Sequence, residues 1–424
     1  MAALVASAQE LTPAERKASI DSFEKVWTTV RDKHWDPKYN GVDWQAVHDE
    51  LRPKVETAKD KAAVREVLND MVGRLRQTHF GIFPAEVYHD LDSKAMAKES
   101  GDANSDEAHP GIDVRVLEGH AIVTEVEPGS PAATKGVKTG WEIKRVGETE
   151  IEPVLARISK QFGDSTLLDL RLERAVESRL QGKTGSTVQV DFLDGANRKV
   201  TFDLQRVKPR GKAVQVFNLP VMYFWSEWRK TPANIGCVRF NIFMEPELLA
   251  GTMSEAMKGC RECKGFIIDV RGNPGGLGAL AMTVAGYFVE KSGLQLGTMY
   301  LRGPTLKFFI NPRLEPFRGP VAILVDGNSA STAEILAGGM KDIGRARIFG
   351  TRTAGAALPS VIDRLPNGDG FQYAIANYIS EGGNPLEGIG VIPDEVVRPT
   401  RGQLLDGLDP VMDAATHWIG KQVK

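Results

Sequence analysis

The chain has 424 residues, of which 42% are hydrophobic and 25% charged. These ordinary globular values exclude disordered and fibrous classes, and at ~150 residues per domain they point to two or three domains. With 53 Lys+Arg against 55 Asp+Glu, the net charge of −2 offers no basic field for a phosphate backbone. Nucleic acid is therefore excluded as a main partner, and no uninterrupted apolar run reaches the ~18 residues of a membrane span.

The first residues, MAALVASAQE, lack a basic region, yet Ala6-Ser7-Ala8 before Gln9 has the A-x-A form of a signal-peptidase site. The reading is a trimmed export signal, hence the bacterial periplasm or the exterior. A cytoplasmic chain with an Ala-rich end would look the same. Thr12-Pro13 opens a helix, with Thr12 as N-cap and Ile20, Phe23, Val26, Trp27 and Val30 at helical spacing. A second helix starts near Trp44 and a third runs from Lys61 to Leu75, ending at Gln77-Thr78-His79-Phe80-Gly81. Residues 82–108 are polar and read as a connector, closing a first helical unit over residues 1–108.

From 109 to 208 the period changes to two. GIDVRVLEGHAIVTEVEPGSPAATKGVKTGWEIKRVGETEI alternates apolar and polar residues around a short helix at Ser130–Lys135. STVQVDFLDGANRKVTFDL reads as a hairpin turning at Asp194-Gly195, and a helical insert occupies Glu152–Leu180. Residues 209–424 then alternate strands and helices, an α/β pattern ending in a C-terminal helix. The predicted strands are Ile235–Asn241, Gly265–Val270, Val321–Val325, Arg347–Phe349 and Phe371–Ile379. Helices are expected over Glu247–Lys258, after RGNPGG to about Lys291, and from Ser331.

Two strand-to-helix turns carry the chemical signal. RGNPGG follows GFIIDV, and DGNSASTAE follows VAILV. Backbone amides at a helix N-terminus favour developing negative charge, and Gly lets backbone approach a reacting atom. Ser331 is open to two readings. Ser331-Thr332-Ala333-Glu334 is a capping box, and a serine in that setting is also a candidate nucleophile. A nucleophile needs a base. Of the seven histidines, at 34, 48, 79, 89, 109, 120 and 417, His79 stands at a helix exit in THFGIF. No HExxH or nucleotide loop is present. Cys260 and Cys263 form a lone CxxC without a second pair, so neither a metal site nor any cofactor is expected. At most these two cysteines close a local disulfide where a helix runs into a strand.

Together GFIIDVRGNPGG, DGNSASTAEILAGGMKDIGRA, GTRTAG and LEGIGVIPDEVV resemble the C-terminal processing (tail-specific) serine peptidase family. GIDVRV…VEPGSPAATKGVKTGWEIKRVG resembles a PDZ domain, the module with which such peptidases capture protein C-termini. The resemblance implies a Clp-protease/crotonase-like β-α core with an inserted PDZ-like β domain and an N-terminal helical domain. It also implies serine peptidase activity on proteins or peptides, with no partner fixed beyond the substrate and homo-oligomerisation left open. Carried onto this sequence, Ser331 is the nucleophile, and the amide of Thr332 with those of Gly275 and Gly276 supplies the oxyanion hole. Gly111, Ile112, Asp113 and Val114 would take the peptide end.

The best-known branch of that family uses a lysine 25 residues after the serine; here position 356 is Ala, in Thr353-Ala354-Gly355-Ala356. This form resembles the tricorn-core and retinoid-binding-protein branch. There the base is a His preceded by a hydroxyl residue, which His79 after Thr78 matches. A Glu in E-x-x-G-V-x-P-D completes the set; Glu387 fits it 56 residues after Ser331, with Glu381 as the fallback. Lys341 is then a solvated cation near a helix end. An imidazole base places the rise of activity at pH roughly 6–7.5. The alternatives are a non-catalytic peptide or apolar-ligand binding protein on the same scaffold, and a crotonase-fold enzyme acting on acyl-thioesters.

Overall fold

The computed structural model describes residues 10–85, 108–215 and 221–422. The A-x-A segment and most of the polar connector lie outside the described residues. The chain is mixed α/β with several sheets. Among the described residues no helix is long and apolar enough to cross a membrane.

Helix Pro13–Lys33 begins at the expected cap. Glu15 N donates to Thr12 Oγ1 at 3.3 Å, and Thr12 N returns a bond to Glu15 Oε2 at 3.0 Å. Asp43 and Asp60 cap helices Trp44–Glu56 and Lys61–Gly73 by accepting the amides of Ala46 and Ala63. Their apolar faces bury Phe23, Val26, Leu51, Leu68 and Met71 against Leu365, Phe371 and Tyr373. Phe371 and Tyr373 come from a small antiparallel sheet ordered Gly81–Phe83, Gly370–Ala374, Ser360–Arg364, and Leu365 directly follows its last strand. The helical unit thus shares its core with chain roughly 300 residues away, and that shared core fixes the exit where Thr78 and His79 sit.

The middle unit is an antiparallel sheet in the order Ile112–Leu117, His120–Val126, Glu142–Val146, Thr187–Leu193, Lys199–Gln205, with Thr149–Glu150 beside the third strand. The short helix Pro131–Thr134 and the hairpin at Asp194 form as expected. The insert is two helices, Ile151–Phe162 and Leu168–Leu180, whose Leu155, Leu172 and Val176 pack on Ile112, Val114, Ile143 and Phe192. Ile112–Leu117 is an edge strand of this sheet.

The core sheet runs Ser226–Lys230, Ile235–Phe240, Gly265–Asp269, Val321–Val325, Arg347–Gly350, Glu395–Val396. All neighbours are parallel except the first pair. Both faces are covered, as parallel strands require. Ile268, Ile323 and Val325 face helices Pro246–Gly259, Ala279–Ala285 and Thr332–Asp342. Ile267, Ala322 and Leu324 face the terminal helix Pro410–Gln422. The fully apolar strands GFIID and VAILV are therefore adjacent at the sheet centre, and the two chemically suggestive turns leave from their neighbouring carboxyl ends.

Three expectations change. The helix after RGNPGG stops at Ala285, well short of Lys291. Gly286 crosses the 311–313 segment so closely that a Cβ there would lie 2.4 Å from Asn311 O, and its carbonyl accepts from Arg313 N at 2.9 Å. The apolar run Phe371–Ile379 divides into strands Gly370–Ala374 and Ala376–Ser380 that join different sheets. Strands Gln295–Leu301 and Thr305–Phe309 were not anticipated. Cys260 and Cys263 form the local disulfide, where helix Pro246–Gly259 turns into strand Gly265–Asp269; Cys237 is a buried free thiol.

Phe371 is fully buried and stacks on Tyr373 within the helical core. Phe371→Ala should lower the free energy of unfolding by ~3–5 kcal/mol in a urea titration. A loss below about 1 kcal/mol would mean that the small sheet does not hold the helices in place.

Candidate active site

Strand Val321–Val325 ends at Asp326, whose carboxylate gathers the loops around it. Oδ1 accepts from Gly272 N at 2.9 Å and from Asn328 N and Ser329 N at 3.1 Å, while Oδ2 accepts from Arg115 Nε at 2.8 Å. Burial alone would raise this carboxyl; the Arg115 guanidinium and the Gly272 amide hold it below the usual carboxylate range. Ser329 Oγ donates to Val270 O at 2.8 Å, and Ala330 N to Asn273 O at 3.0 Å. The RGNPGG and DGNSAS turns are thereby one structure.

Ser331 follows at φ 52° and ψ −115°, a conformation side chains rarely adopt, at the entry to helix Thr332–Asp342. Such strain at a strand-to-helix turn exposes the hydroxyl and is held by its surroundings. The Ser331 amide is shared between Ala356 O at 2.9 Å and Glu334 Oε2 at 3.0 Å. Gly275 packs directly beneath: a Cβ there would lie 2.6 Å from Ser331 Cβ and 2.8 Å from Thr332 N. The Gly275 amide itself donates to Asn273 Oδ1 at 2.9 Å. Among the predicted oxyanion donors, the amides of Gly276 and Thr332 carry no hydrogen bond to the described residues. Gly276 O accepts from Thr332 Oγ1 at 2.8 Å, which holds the two residues together.

His79 also sits at positive φ, 59°. Thr78 Oγ1 donates to Glu387 Oε2 at 2.8 Å, and Thr78 N donates to Glu387 Oε1 at 2.7 Å. With its one proton committed, the Thr78 hydroxyl accepts from the His79 ring, 2.8 Å from Nδ1. This assigns the proton of the neutral ring to Nδ1 and leaves Nε2 unprotonated, the tautomer of a base. Burial pushes His79 down to about 4, helped by the positive charge of Arg174. Burial pushes the Glu387 carboxyl up, against bonds from Thr78 and from the Ala357 and Leu358 amides.

Thr78, His79 and Glu387 are thus brought together. Glu381, the fallback, is exposed, and its amide bonds to Leu296 O at 3.1 Å. No hydrogen bond joins the His79 ring to Ser331 Oγ. They are linked through the 355–357 backbone, since Ala356 O takes the Ser331 amide and Ala357 N donates to Glu387 Oε2 at 3.2 Å. Lys341 is not simply solvated: Nζ donates to Ile392 O at 2.6 Å and pairs with Asp394 at 3.1 Å. At the proposed peptide-end loop, Gly111 N is taken by His109 Nδ1 at 3.0 Å.

Sequence reasoning missed the role of Asp326 and the contact that the helical insert makes with the site. Leu167 packs on Ala330, Ala354 and Ala356, and a Cβ on Gly355 would lie 2.9 Å from Thr166 Oγ1. The Asx pattern after VAILV could have flagged Asp326; nothing local marks Leu167.

A family model described as Peptidase family S41 matches residues 234–397, and the tricorn protease C1 domain model matches residues 19–73. A carboxyl-terminal-processing protease of Picosynechococcus sp. is 24% identical over 404 residues, covering 91% of this chain and 86% of the relative. A carboxy-terminal processing protease of Bacillus subtilis is 24% identical over 402 residues, covering 94% and 71%. A photosystem II D1 C-terminal processing protease shares the fold with TM-score 0.59 at 20% identity, covering 97% of this chain and 98% of the other. The tricorn protease gives TM-score 0.53 at 15% identity, covering 96% of this chain and 37% of the other.

The neutral His79 is directly testable. Its ring should titrate near 4 by NMR, below the 6–7.5 expected from an unperturbed imidazole. A midpoint above 6 would remove burial as the controlling influence. Residues 234–397 match the model of peptidase family S41, relatives named as carboxyl-terminal-processing proteases are similar along most of the chain, and the protein is a serine peptidase, a hydrolase.

Proposed function

We propose that the protein is an endopeptidase in which Ser331 is the nucleophile and His79 the general base. The observation that carries this reading is the line Glu387–Thr78–His79, joined by residues 355–357 to the Ser331 amide. His79 Nε2 removes the hydroxyl proton as Ser331 attacks the scissile carbonyl, and returns it to the leaving amine. Nδ1–H stays on Thr78, which Glu387 holds. The charge on the tetrahedral oxygen falls to the Gly276 and Thr332 amides, at the N-terminus of helix Thr332–Asp342.

Substrate choice is assigned to the 109–208 unit, read as PDZ-like. Its edge strand Ile112–Leu117 can accept an extended peptide as a further strand. The relatives named as carboxyl-terminal-processing proteases support substrates cut near their C-termini. The Cys260–Cys263 disulfide and the A-x-A sequence at residues 6–8 support export to an oxidising compartment.

Ser331→Ala should abolish peptide hydrolysis and labelling by a fluorophosphonate while the chain still folds. His79→Ala should lose about 10²–10⁴-fold in kcat/KM, and Lys341→Ala little. A wild-type chain that neither hydrolyses peptides nor takes up the fluorophosphonate would favour a non-catalytic binding protein, and labelling that survives Ser331→Ala would remove Ser331 as the nucleophile.

A peptide with a free C-terminus should bind the 109–208 unit more tightly than its C-terminal amide, measured by calorimetry on the Ser331→Ala chain. Equal affinities would remove the PDZ reading and leave the peptidase assignment standing.

A further inference from the structure

We propose that Glu334 is a positioning residue for hydrolysis: its carboxylate clamps the Thr353–Ala357 loop to the nucleophile turn and so sets where Ser331 and the His79 line meet. The inference rests on the Ser331–His79 reading above. A capping box asks only that Glu334 take the Ser331 amide. Here Glu334 is fully buried and takes four donors. Oε2 accepts from Ser331 N at 3.0 Å and Ala356 N at 3.0 Å. Oε1 accepts from Thr353 Oγ1 at 2.5 Å and Gly355 N at 2.8 Å. All four lone-pair sites of an ionised carboxylate are occupied.

The geometry makes the loop a shared spacer between two carboxylates. Glu334 grips Gly355 and Ala356 from the nucleophile side. Glu387 grips Ala357 from the other side and carries Thr78 and His79. A shift of this three-residue backbone therefore changes the Ser331-to-His79 relation, while the substrate cleft can stay as it is. Thr353 Oγ1 also accepts from Val391 N at 2.6 Å, so its own proton is free to go to Glu334.

The clamp needs the ionised form. Burial pushes Glu334 up to about 7 against its four hydrogen bonds, and no neighbouring charge is among the main causes. Above that pH all four donors are held. Below it a proton fills one lone pair and one donor is released. Activity should then rise through about pH 7, separately from the limb near 4 that belongs to His79.

Glu334→Gln presents an NH2 to two donors wherever it turns, and so resembles the protonated form at every pH. At pH 8 its kcat should fall about 10–100-fold with KM within about twofold. Fluorophosphonate labelling should slow by the same factor, and the limb near pH 7 should vanish while the lower limb stays. Full kcat with the limb near 7 retained would overturn the proposal. If Glu334→Gln does not fold, Thr353→Val removes one donor and should move that limb to higher pH; an unmoved limb overturns the proposal equally. A wild-type chain that neither hydrolyses peptides nor labels would instead defeat the Ser331–His79 reading, and this inference with it.

Discussion

The carboxylate of Asp326 is the constraint on which the two turns around Ser331 depend. It stands where two adjacent parallel strands end, and it accepts amides from both of the loops that leave them. An unpaired carboxylate in that position would be expensive, so its charge requires Arg115, which arrives from the edge strand of the middle sheet. Glu173, from the helical insert, shares the same guanidinium at 3.4 Å and hydrogen-bonds Asn328. Burial drives the Glu173 carboxyl well above its usual range. The middle unit is thus electrostatically part of the Ser331 turn rather than an appendage beside it.

Strain is distributed over this framework in a recognisable way. Ser331 and His79 both hold left-sided φ values without being glycine, at 52° and 59°. Each is over-determined by its neighbours: Ser331 by Ala356 and Glu334, His79 by Thr78 and Glu387. Positions of this kind cost about 1–3 kcal/mol each and persist only where surrounding contacts enforce them. Gly275 and Gly276 complete the arrangement, because any side chain at either would strike the nucleophile turn or Phe243 O.

Much of this was legible in the chain. Apolar strand runs followed by Gly-, Asp- and Ser-rich turns located the core strands and the helix at Ser331, because parallel strands covered on both faces leave an unmistakable hydrophobic block. THFGIF and LEGIGVIPD are matched to site roles by resemblance, and Glu387 is preferred to Glu381 because it opens the E-x-x-G-V-x-P-D motif. The insert was read as helical, but nothing in DSTLLD indicates that Leu167 would rest on Ala330, Ala354 and Ala356. The run at 371–379 was misread because an unbroken apolar pattern does not say that one chain serves two sheets. The solvated reading of Lys341 failed for a similar reason: Asp394 lies 53 positions away in sequence and 3.1 Å away in space. Likewise the protonation of His79 depends on burial, and burial is a property of the assembled cleft.

The bond from Thr78 to Glu387 closes a sequence separation of 309 residues. For a flexible chain, bringing such ends together costs about 5 kcal/mol in closure entropy, so this contact forms only after the intervening sheets have folded. During synthesis the segment that carries His79 emerges 308 residues ahead of Glu387. A partly made chain carries His79 without Glu387, so the hydrogen-bonded line Glu387–Thr78–His79 forms late. Under the proposed Ser331–His79 mechanism, the order of the residues along the chain would act as a timer, keeping the hydrolase inert until the fold is nearly complete.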